Sequence, residues 1–121
     1  MRGLGVDAVD IARFRAALAR SPRLAPRVFT TAERALADRR ADSGALLAAR
    51  FAAREATMKA LGVGLGAFDF HDVSVHTDAA GRPSLRIVGR AAQLASERGV
   101  THWHVSLAHT DHLAIAVVAA E

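Results

Sequence analysis

The pattern of hydrophobic and polar residues changes several times along the first part of the chain, and each change predicts a different element. Apolar and polar residues alternate over Gly3–Asp10, which predicts a first β-strand. Helical spacing replaces this alternation over Ile11–Arg20, with apolar residues on one face. Two prolines bound a predicted loop at residues 22–26, and Thr31 is the expected N-cap of a short helix over residues 32–40.

The strongest helix signal covers residues 45–61, which are rich in alanine and leucine. Gly62 stands at the end of this segment, where glycine commonly terminates a helix. Two neighbouring stripes run along the predicted helix. They consist of Leu47, Phe51, Arg54 and Met58, and of Ala48, Ala52, Glu55 and Lys59. A glycine-rich loop at residues 62–66 follows.

Strand patterns dominate the second half of the chain. The predicted elements are strands at residues 70–77 and 84–88 that form a hairpin, a helix at residues 91–98 stopped by Gly99, and strands at residues 101–107 and Leu113–Ala120. A mainly helical first half and a strand-rich second half predict a single α+β domain over residues 1–121. Its small, mostly antiparallel sheet is expected to pack against the long helix.

Composition narrows the class of protein and of partner. The 121 residues include 16 lysines and arginines against 12 acidic residues, and the net charge of +4 suits an anionic partner such as nucleic acid, a phosphorylated ligand or an acidic protein. The absence of cysteine excludes disulfides and thiolate metal sites. Since there is no signal-peptide pattern and no apolar run long enough to span a membrane, we expect a soluble, cytoplasmic protein.

Three charged residues are candidates for chemistry. Asp7 lies in the first predicted strand although aspartate is a poor strand former, and an ordinary solvent-facing acid is the alternative. Glu55 and Lys59 are one helical turn apart, where a surface ion pair worth about 0.2–0.5 kcal/mol is the alternative. Lys59 is the only lysine in the chain, which indicates either an arginine-rich composition or a position that needs a compact ammonium.

Two further segments carry weaker signals. The loop GVGLG at residues 62–66 could bring backbone N–H groups to a phosphate, but it follows a helix C-terminus and matches no nucleotide-binding motif, so a helix cap and turn is the alternative. Ser106, His109 and Asp111 suggest a nucleophilic triad, which we reject because their spacing fits no strained nucleophile turn. The histidines show no metal-ligand spacing on a helix, which argues against a zinc site.

Four segments together resemble the holo-acyl-carrier-protein synthase family, the short trimeric type of 4′-phosphopantetheinyl transferase. They are GLGVDAVDIARF at residues 3–14, RVFTTAE at residues 27–33, ARFAAREATMKALGVG at residues 49–64 and WHVSLAHTD at residues 103–111. Their order and gaps resemble the family pattern over nearly the whole chain. Arg54 and Ala108 depart from it, since the family usually has lysine at the first position and serine or threonine at the second. These departures are expected to affect substrate contacts and to leave the reaction class unchanged.

The resemblance implies the 4′-phosphopantetheinyl transferase fold and its reaction. A serine hydroxyl of an apo acyl carrier protein attacks the β-phosphorus of coenzyme A, and adenosine 3′,5′-bisphosphate is released. By position in the motifs, Asp7 and Glu55 would hold Mg²⁺, and Lys59 would neutralise or protonate the departing phosphate. The expected coenzyme A contacts are Arg50, Gly62, Gly64 and His109. The group that accepts the serine proton stays open.

An acidic carrier protein would explain the excess of basic residues. The expected carrier-binding residues are Arg13, Arg20, Arg23 and Arg27, and a solvated arginine surface is the alternative. The resemblance also implies a homotrimer with sites between subunits, whereas the choice between fatty acid and polyketide carriers stays open. Two rival functions are a basic nucleic-acid-binding module, which the few aromatic residues disfavour, and a non-catalytic coenzyme-A-binding relative. The second would be expected to lose Asp7, Glu55 or Lys59, and all three are present.

Overall fold

The computed structural model describes all 121 residues, Met1–Glu121, and contains five strands and five α-helices. In chain order the elements are β1 (Gly3–Asp10), α1 (Ile11–Arg20), α2 (Leu24–Val28), α3 (Thr31–Asp38), α4 (Ser43–Leu61), a 3₁₀ turn (Phe70–Asp72), β2 (Val73–Thr77), β3 (Pro83–Ile87), α5 (Gly89–Glu97), β4 (Trp103–His109) and β5 (Leu113–Ala120). The expected α+β class is confirmed, and β1, α1 and β5 have the predicted bounds.

The strands form two antiparallel sheets, where the sequence predicted one. β5 lies between β1 and β4 in a three-stranded sheet, and β2 pairs only with β3 in a separate hairpin. β3 runs close to β4 without forming a hydrogen-bonded ladder with it, so the two sheets do not merge. α4 packs against β1, β5 and β2 and therefore contacts both sheets. This central helix is the frame on which the other elements are positioned.

Two glycines bring β1 unusually close to α4. A Cβ atom at Gly3 would overlap the carbonyl oxygen of Ala60, and one at Gly5 would overlap that of Ala56. On the helix side the facing residues are alanines, and Ala56 is fully buried. Only glycine on β1 and a residue as small as alanine on α4 permit this close approach, so the glycines of the strand and the alanines of the helix are complementary.

α4 begins two residues earlier than predicted because Asp42 caps it. The Asp42 carboxylate accepts a hydrogen bond from the Ala45 backbone N–H at 3.1 Å, which satisfies one of the free donors of the first turn. At the other end Gly62 adopts the left-handed conformation with φ of 71°, which confirms the predicted stop. No helix in the structure, α4 included, combines the length and the apolarity needed to cross a membrane.

Three local predictions were wrong in detail. The segment predicted as a loop overlaps the short helix α2. Pro26 stands within the first turn of α2, where a missing N–H leaves no hydrogen bond unmade. The N-cap of α3 is Thr30 and not Thr31, since Thr30 forms a capping box with Glu33. The strand predicted from residue 70 begins at Val73, because a 3₁₀ turn occupies the first three positions. Similar shifts of one or two residues affect β3, α5 and β4.

One face of the three-stranded sheet packs on α4, and the opposite face is open and, over β1 and β5, apolar. On β1, Leu4 and Val6 are 61% and 55% exposed, and on β5 Leu113 and Val117 are 40% and 38% exposed. Val6 pairs with Val117 in the antiparallel register, so these side chains form a continuous surface. We call this surface the outer sheet face. No other part of the chain covers it, which is unusual for so many large apolar side chains.

Candidate active site

Asp7 and Glu55 come together on two neighbouring elements. Asp7 follows Gly3 and Gly5 on the face of β1 that lies against α4, so the close contact between strand and helix brings it to Glu55. Both carboxylates line one open cavity of about 530 Å³. Burial raises the pKa of Glu55 above its usual value, the charge of Asp7 raises it further, and Lys59 opposes both effects. A cation between the two carboxylates would relieve their repulsion.

Lys59 reaches from α4 to β1. Its Nζ lies 3.1 Å from Asp7 Oδ1 and also donates to the carbonyl oxygen of Val6 at 3.0 Å. The ammonium thus forms its ion pair with Asp7, and the surface pair with Glu55 that the spacing allowed is not formed. The side chain of Lys59 is 55% exposed, so its remaining donor stays accessible to an anion from solvent.

The side chains around Asp7 fit part of the coordination shell of a magnesium ion. Mg²⁺ in proteins usually takes one or two carboxylates, while waters and substrate phosphates complete the octahedron. Asp7 and Glu55 supply two carboxylates, and Lys59 balances only one of their charges. No cluster of three or more histidine or acidic side chains in the chain could hold a metal by itself. The donor set therefore suits an ion that shares a phosphate-bearing ligand with the protein.

Arg50 lies further towards the N-terminal end of α4, in a different cavity. This cavity has a volume of about 390 Å³, and His109 at the end of β4 also lines it. Arg50 Nη2 donates to Thr77 Oγ1 at 3.1 Å, whereas its buried Nε, 3.9 Å from Glu33 Oε2, has no hydrogen-bond partner. Burial lowers the pKa of the Arg50 guanidinium, which remains charged at neutral pH. Arg50 therefore places a guanidinium with an unused donor beside this cavity, and such a group suits an anionic ligand.

A buried ion pair between Arg54 and Glu33 was missed by sequence reasoning. Arg54 is fully buried, and both of its terminal nitrogens donate to the Glu33 carboxylate, which also accepts from the backbone N–H groups of Thr30 and Val75. Burial raises the pKa of Glu33, but these donors more than compensate, and the net shift is downward. The expectation that Arg54 affects substrate contacts was therefore wrong. The spacing of threonine and glutamate in RVFTTAE is that of a capping box and was the available signal.

The predicted coenzyme A contacts do not form one group within the chain. Gly62 and Gly64 follow the C-terminal end of α4 and are exposed, and a side chain at either position would meet no atom within 4 Å. Arg50 precedes Gly62 by twelve residues, which corresponds to about 18 Å along a helix. The four predicted contacts thus separate into Arg50 with His109 and Gly62 with Gly64.

The four arginines predicted to bind a carrier protein lie on the α1 side of the Asp7 cavity. Arg13 and Arg20 belong to α1 and line that cavity together with Asp7 and Glu55. Arg23 precedes α2, and Arg27 belongs to it. All four arginines are exposed, and none of them forms an ion pair. This part of the surface is therefore basic and borders the candidate site.

Comparison with known proteins identifies relatives along almost the whole chain. A model of the 4′-phosphopantetheinyl transferase superfamily matches residues 3–118. Among curated relatives, the holo-[acyl-carrier-protein] synthases of Frankia casuarinae and Streptomyces coelicolor are 49% and 48% identical to this chain over 119 residues. Each alignment covers 98% of this chain and 96% of the relative.

Solved structures share the fold. The holo-[acyl-carrier-protein] synthase of Neisseria meningitidis matches with a TM-score of 0.91 at 28% identity, covering 100% of this chain and 98% of that one. The synthase of Helicobacter pylori, solved in complex with coenzyme A, matches with a TM-score of 0.85 at 26% identity, covering 98% and 99% of the two chains. The fold implied by the sequence motifs is thereby confirmed.

Proposed function

The chain belongs to the 4′-phosphopantetheinyl transferase superfamily, and from this premise we propose that it is a holo-[acyl-carrier-protein] synthase. In the proposed reaction, a serine hydroxyl of an apo acyl carrier protein attacks the β-phosphorus of coenzyme A, and adenosine 3′,5′-bisphosphate leaves. The observation that carries the proposal is the meeting of Asp7, Glu55 and Lys59, in a chain that matches synthases of this name over nearly its full length. Neither a nucleic-acid-binding module nor a non-catalytic relative explains this combination.

We assign Asp7 and Glu55 as the protein ligands of Mg²⁺. When bound there, the ion would withdraw charge from the pyrophosphate of coenzyme A and take phosphate oxygens into its coordination shell. Burial is the main cause of the raised pKa of Glu55, and the neighbouring charge of Asp7 raises it further, so a cation shared by the two carboxylates would stabilise their charged forms. The two side chains also come from two different elements, so the fold and not local spacing sets their separation.

Lys59 is assigned to the departing phosphate. Its ammonium contacts Asp7, so a phosphate group that binds beside Asp7 also meets Lys59. An ammonium can neutralise such a group and can also release a proton to it, whereas a guanidinium remains protonated. Phosphoryl transfer depends mainly on positioning and charge neutralisation, and these three side chains supply both.

Coenzyme A is proposed to contact two copies of the chain. Arg50 with His109 and Gly62 with Gly64 lie apart along α4, so one nucleotide would reach both pairs only if they come from different copies. The apolar outer sheet face offers a surface through which copies could associate, since burying it would remove several large side chains from water. The resemblance to the short trimeric type makes a homotrimer the proposed assembly.

The carrier protein is proposed to dock on the arginines of α1 and α2. Arg13 and Arg20 line the cavity that contains Asp7 and Glu55, so an acidic protein bound there would present its serine close to the reacting phosphate. Exposed charges of this kind chiefly increase the rate of encounter and its dependence on salt. A cytoplasmic location stays a prediction of the sequence.

The decisive experiment is mass spectrometry of an apo acyl carrier protein after incubation with the chain and coenzyme A. With Mg²⁺ we expect the carrier to gain one phosphopantetheine group, and after removal of the metal with EDTA we expect no gain. Asp7→Ala and Glu55→Ala should both abolish the transfer while changing the free energy of unfolding by less than about 1 kcal/mol. Transfer that continues undiminished in EDTA would refute the metal assignment, and no transfer under any condition would refute the function.

A further inference from the structure

A cluster of cations borders Lys59 on the side away from Arg13 and Arg20. Arg2 and Arg98 line a cavity of about 590 Å³ together with Lys59 and Gly62, and no acidic side chain lines it. Neither arginine takes part in an ion pair. Lys59 therefore separates two differently charged cavities, one with carboxylates and one with cations only.

The guanidinium of Arg2 is oriented by packing and not by an acid. A Cβ atom at Gly99 would meet Arg2 Cζ, Nε and Nη2 at the same distance of 3.4 Å, so the flat face of the guanidinium lies on Gly99. Gly99 has φ of 74°, a conformation that favours glycine, and the turn at this position leaves room for the guanidinium. The backbone N–H of Arg2 donates to the carbonyl oxygen of Ala120 at 2.7 Å, which fixes the start of β1. The donors at the edge of the guanidinium remain free for a ligand.

Helix dipoles explain only part of this cluster. The C-terminal ends of α4 and α5 both lie near the cavity, and such ends favour positive side chains. Asp7 already balances the charge of Lys59, and the two helix ends, at roughly half a negative charge each, offset about one of the two arginine charges. Arg2 precedes β1 and belongs to no helix, so no helix dipole of its own favours its charge. A net positive potential therefore remains in the cavity.

We propose that Arg2 and Arg98 are additional binding residues for the pyrophosphate of coenzyme A, which they hold together with Lys59. The inference rests on the proposed function, because that function makes a pyrophosphate the anion that reaches Lys59. Gly62, which has an exposed backbone and no side chain, lines the same cavity and leaves space for the rest of the ligand. A pyrophosphate is a multiply charged anion, which is what three convergent cations with no acidic neighbour in the cavity would bind best.

The test is calorimetric titration of metal-free protein with coenzyme A and, separately, with inorganic pyrophosphate. Wild type is compared with Arg2→Ala, Arg98→Ala and the double variant. Arg34→Ala is the matched control, because Arg34 is an exposed helical arginine that lines none of these cavities. We expect the double variant to raise the Kd of both anions about tenfold and each single variant to raise it severalfold. Arg34→Ala should stay within about twofold of wild type.

Several outcomes would overturn the inference. They are equal affinity of the double variant and wild type for both anions, no binding of pyrophosphate by wild type, and a raised KM for the carrier protein with unchanged affinity for coenzyme A. The last result would assign the two arginines to the carrier. Arg98→Ala repeats the test outside the sheet, in case a change at Arg2 alters the association of copies. Arginine-dependent binding of pyrophosphate by a chain that transfers nothing would refute the proposed function and leave the anion site standing.

Discussion

Replacing Gly5 with alanine would test whether the close contact between β1 and α4 positions Asp7. The added Cβ would lie 2.8 Å from the Ala60 nitrogen and 2.9 Å from the Ala56 carbonyl carbon, and it would overlap the Ala56 oxygen. All these atoms belong to the helix backbone, which cannot move aside as a flexible side chain would. β1 would have to retreat by roughly 0.6 Å to reach ordinary contact with the nitrogen, and further to clear the oxygen.

Two quantities should change in the Gly5→Ala variant. Overpacking of this kind typically costs 1–3 kcal/mol, so we expect the free energy of unfolding to fall by about 2 kcal/mol. Asp7 moves with β1, and a misplacement approaching 1 Å can lower turnover on the order of a hundredfold. Urea denaturation measures the first quantity, and steady-state transfer to an apo carrier protein measures the second.

Gly64→Ala is the matched control for stability, because a side chain at Gly64 meets no atom within 4 Å. Its free energy of unfolding should stay within about 0.5 kcal/mol of wild type. If Gly5→Ala were as stable as wild type and retained its turnover, the close contact would not be what positions Asp7. A loss of stability with unchanged turnover would separate the packing from the catalytic geometry and would refute the second half of the reasoning.

Three further predictions concern single side chains. Lys59→Arg should lower turnover at least about tenfold, or about 1.4 kcal/mol of barrier, in steady-state transfer, and wild-type turnover would mean that positive charge alone suffices. Glu33→Gln should reduce the free energy of unfolding by about 3 kcal/mol at neutral pH, because it leaves Arg54 buried without a counter-charge. The fold lowers the pKa of Glu33 from 4.5, so the stability due to its charge is present above pH 4.5 and is lost as the pH falls through the folded-state pKa. If the difference in the free energy of unfolding between wild type and Glu33→Gln, measured by urea denaturation, did not change with pH, this reasoning would be wrong. Arg13→Glu should raise the KM for the carrier protein more than that for coenzyme A, and equal changes in the two constants, or the same effect from Arg34→Glu, would argue against docking on α1.

The parts of the fold that sequence reasoning predicted are those set by local signals. α4 is long, rich in alanine and ended by Gly62, so its existence and its C-terminal end followed from propensity alone. β1 ends where Asp10 caps α1, and alternation gives way to helical spacing at the same residue. Asp7, Glu55 and Lys59 were recognised through motif resemblance, and the structure adds the contact between β1 and α4 that brings them together.

The parts that were missed depend on contacts between distant segments. The ion pair of Glu33 with Arg54 joins α3 to α4, and although the capping-box spacing marks Glu33 locally, no sequence rule connects it to Arg54 on the next helix. The division of the strands into two sheets is equally non-local, since β3 could have paired with β4 on pattern alone. The cavity of Arg2 and Arg98 requires the residue before β1 to meet the residue after α5, and no spacing rule connects them.

The pairing of β1 with β5 has a consequence for how the protein is made. Gly3 pairs with Ala120, so the ladder that supports Asp7 joins residues from opposite ends of the polypeptide. Contacts of such long sequence separation form late, because the chain must lose the entropy of closing a large loop before any hydrogen bond between the two strands can stabilise it. During synthesis β1 therefore emerges before β5 and remains without its partner until β5 has also left the ribosome. Through that interval its apolar residues, Leu4 and Val6, are open to association with other chains, so we expect the nascent protein to depend on chaperones more than a chain with only local pairings would.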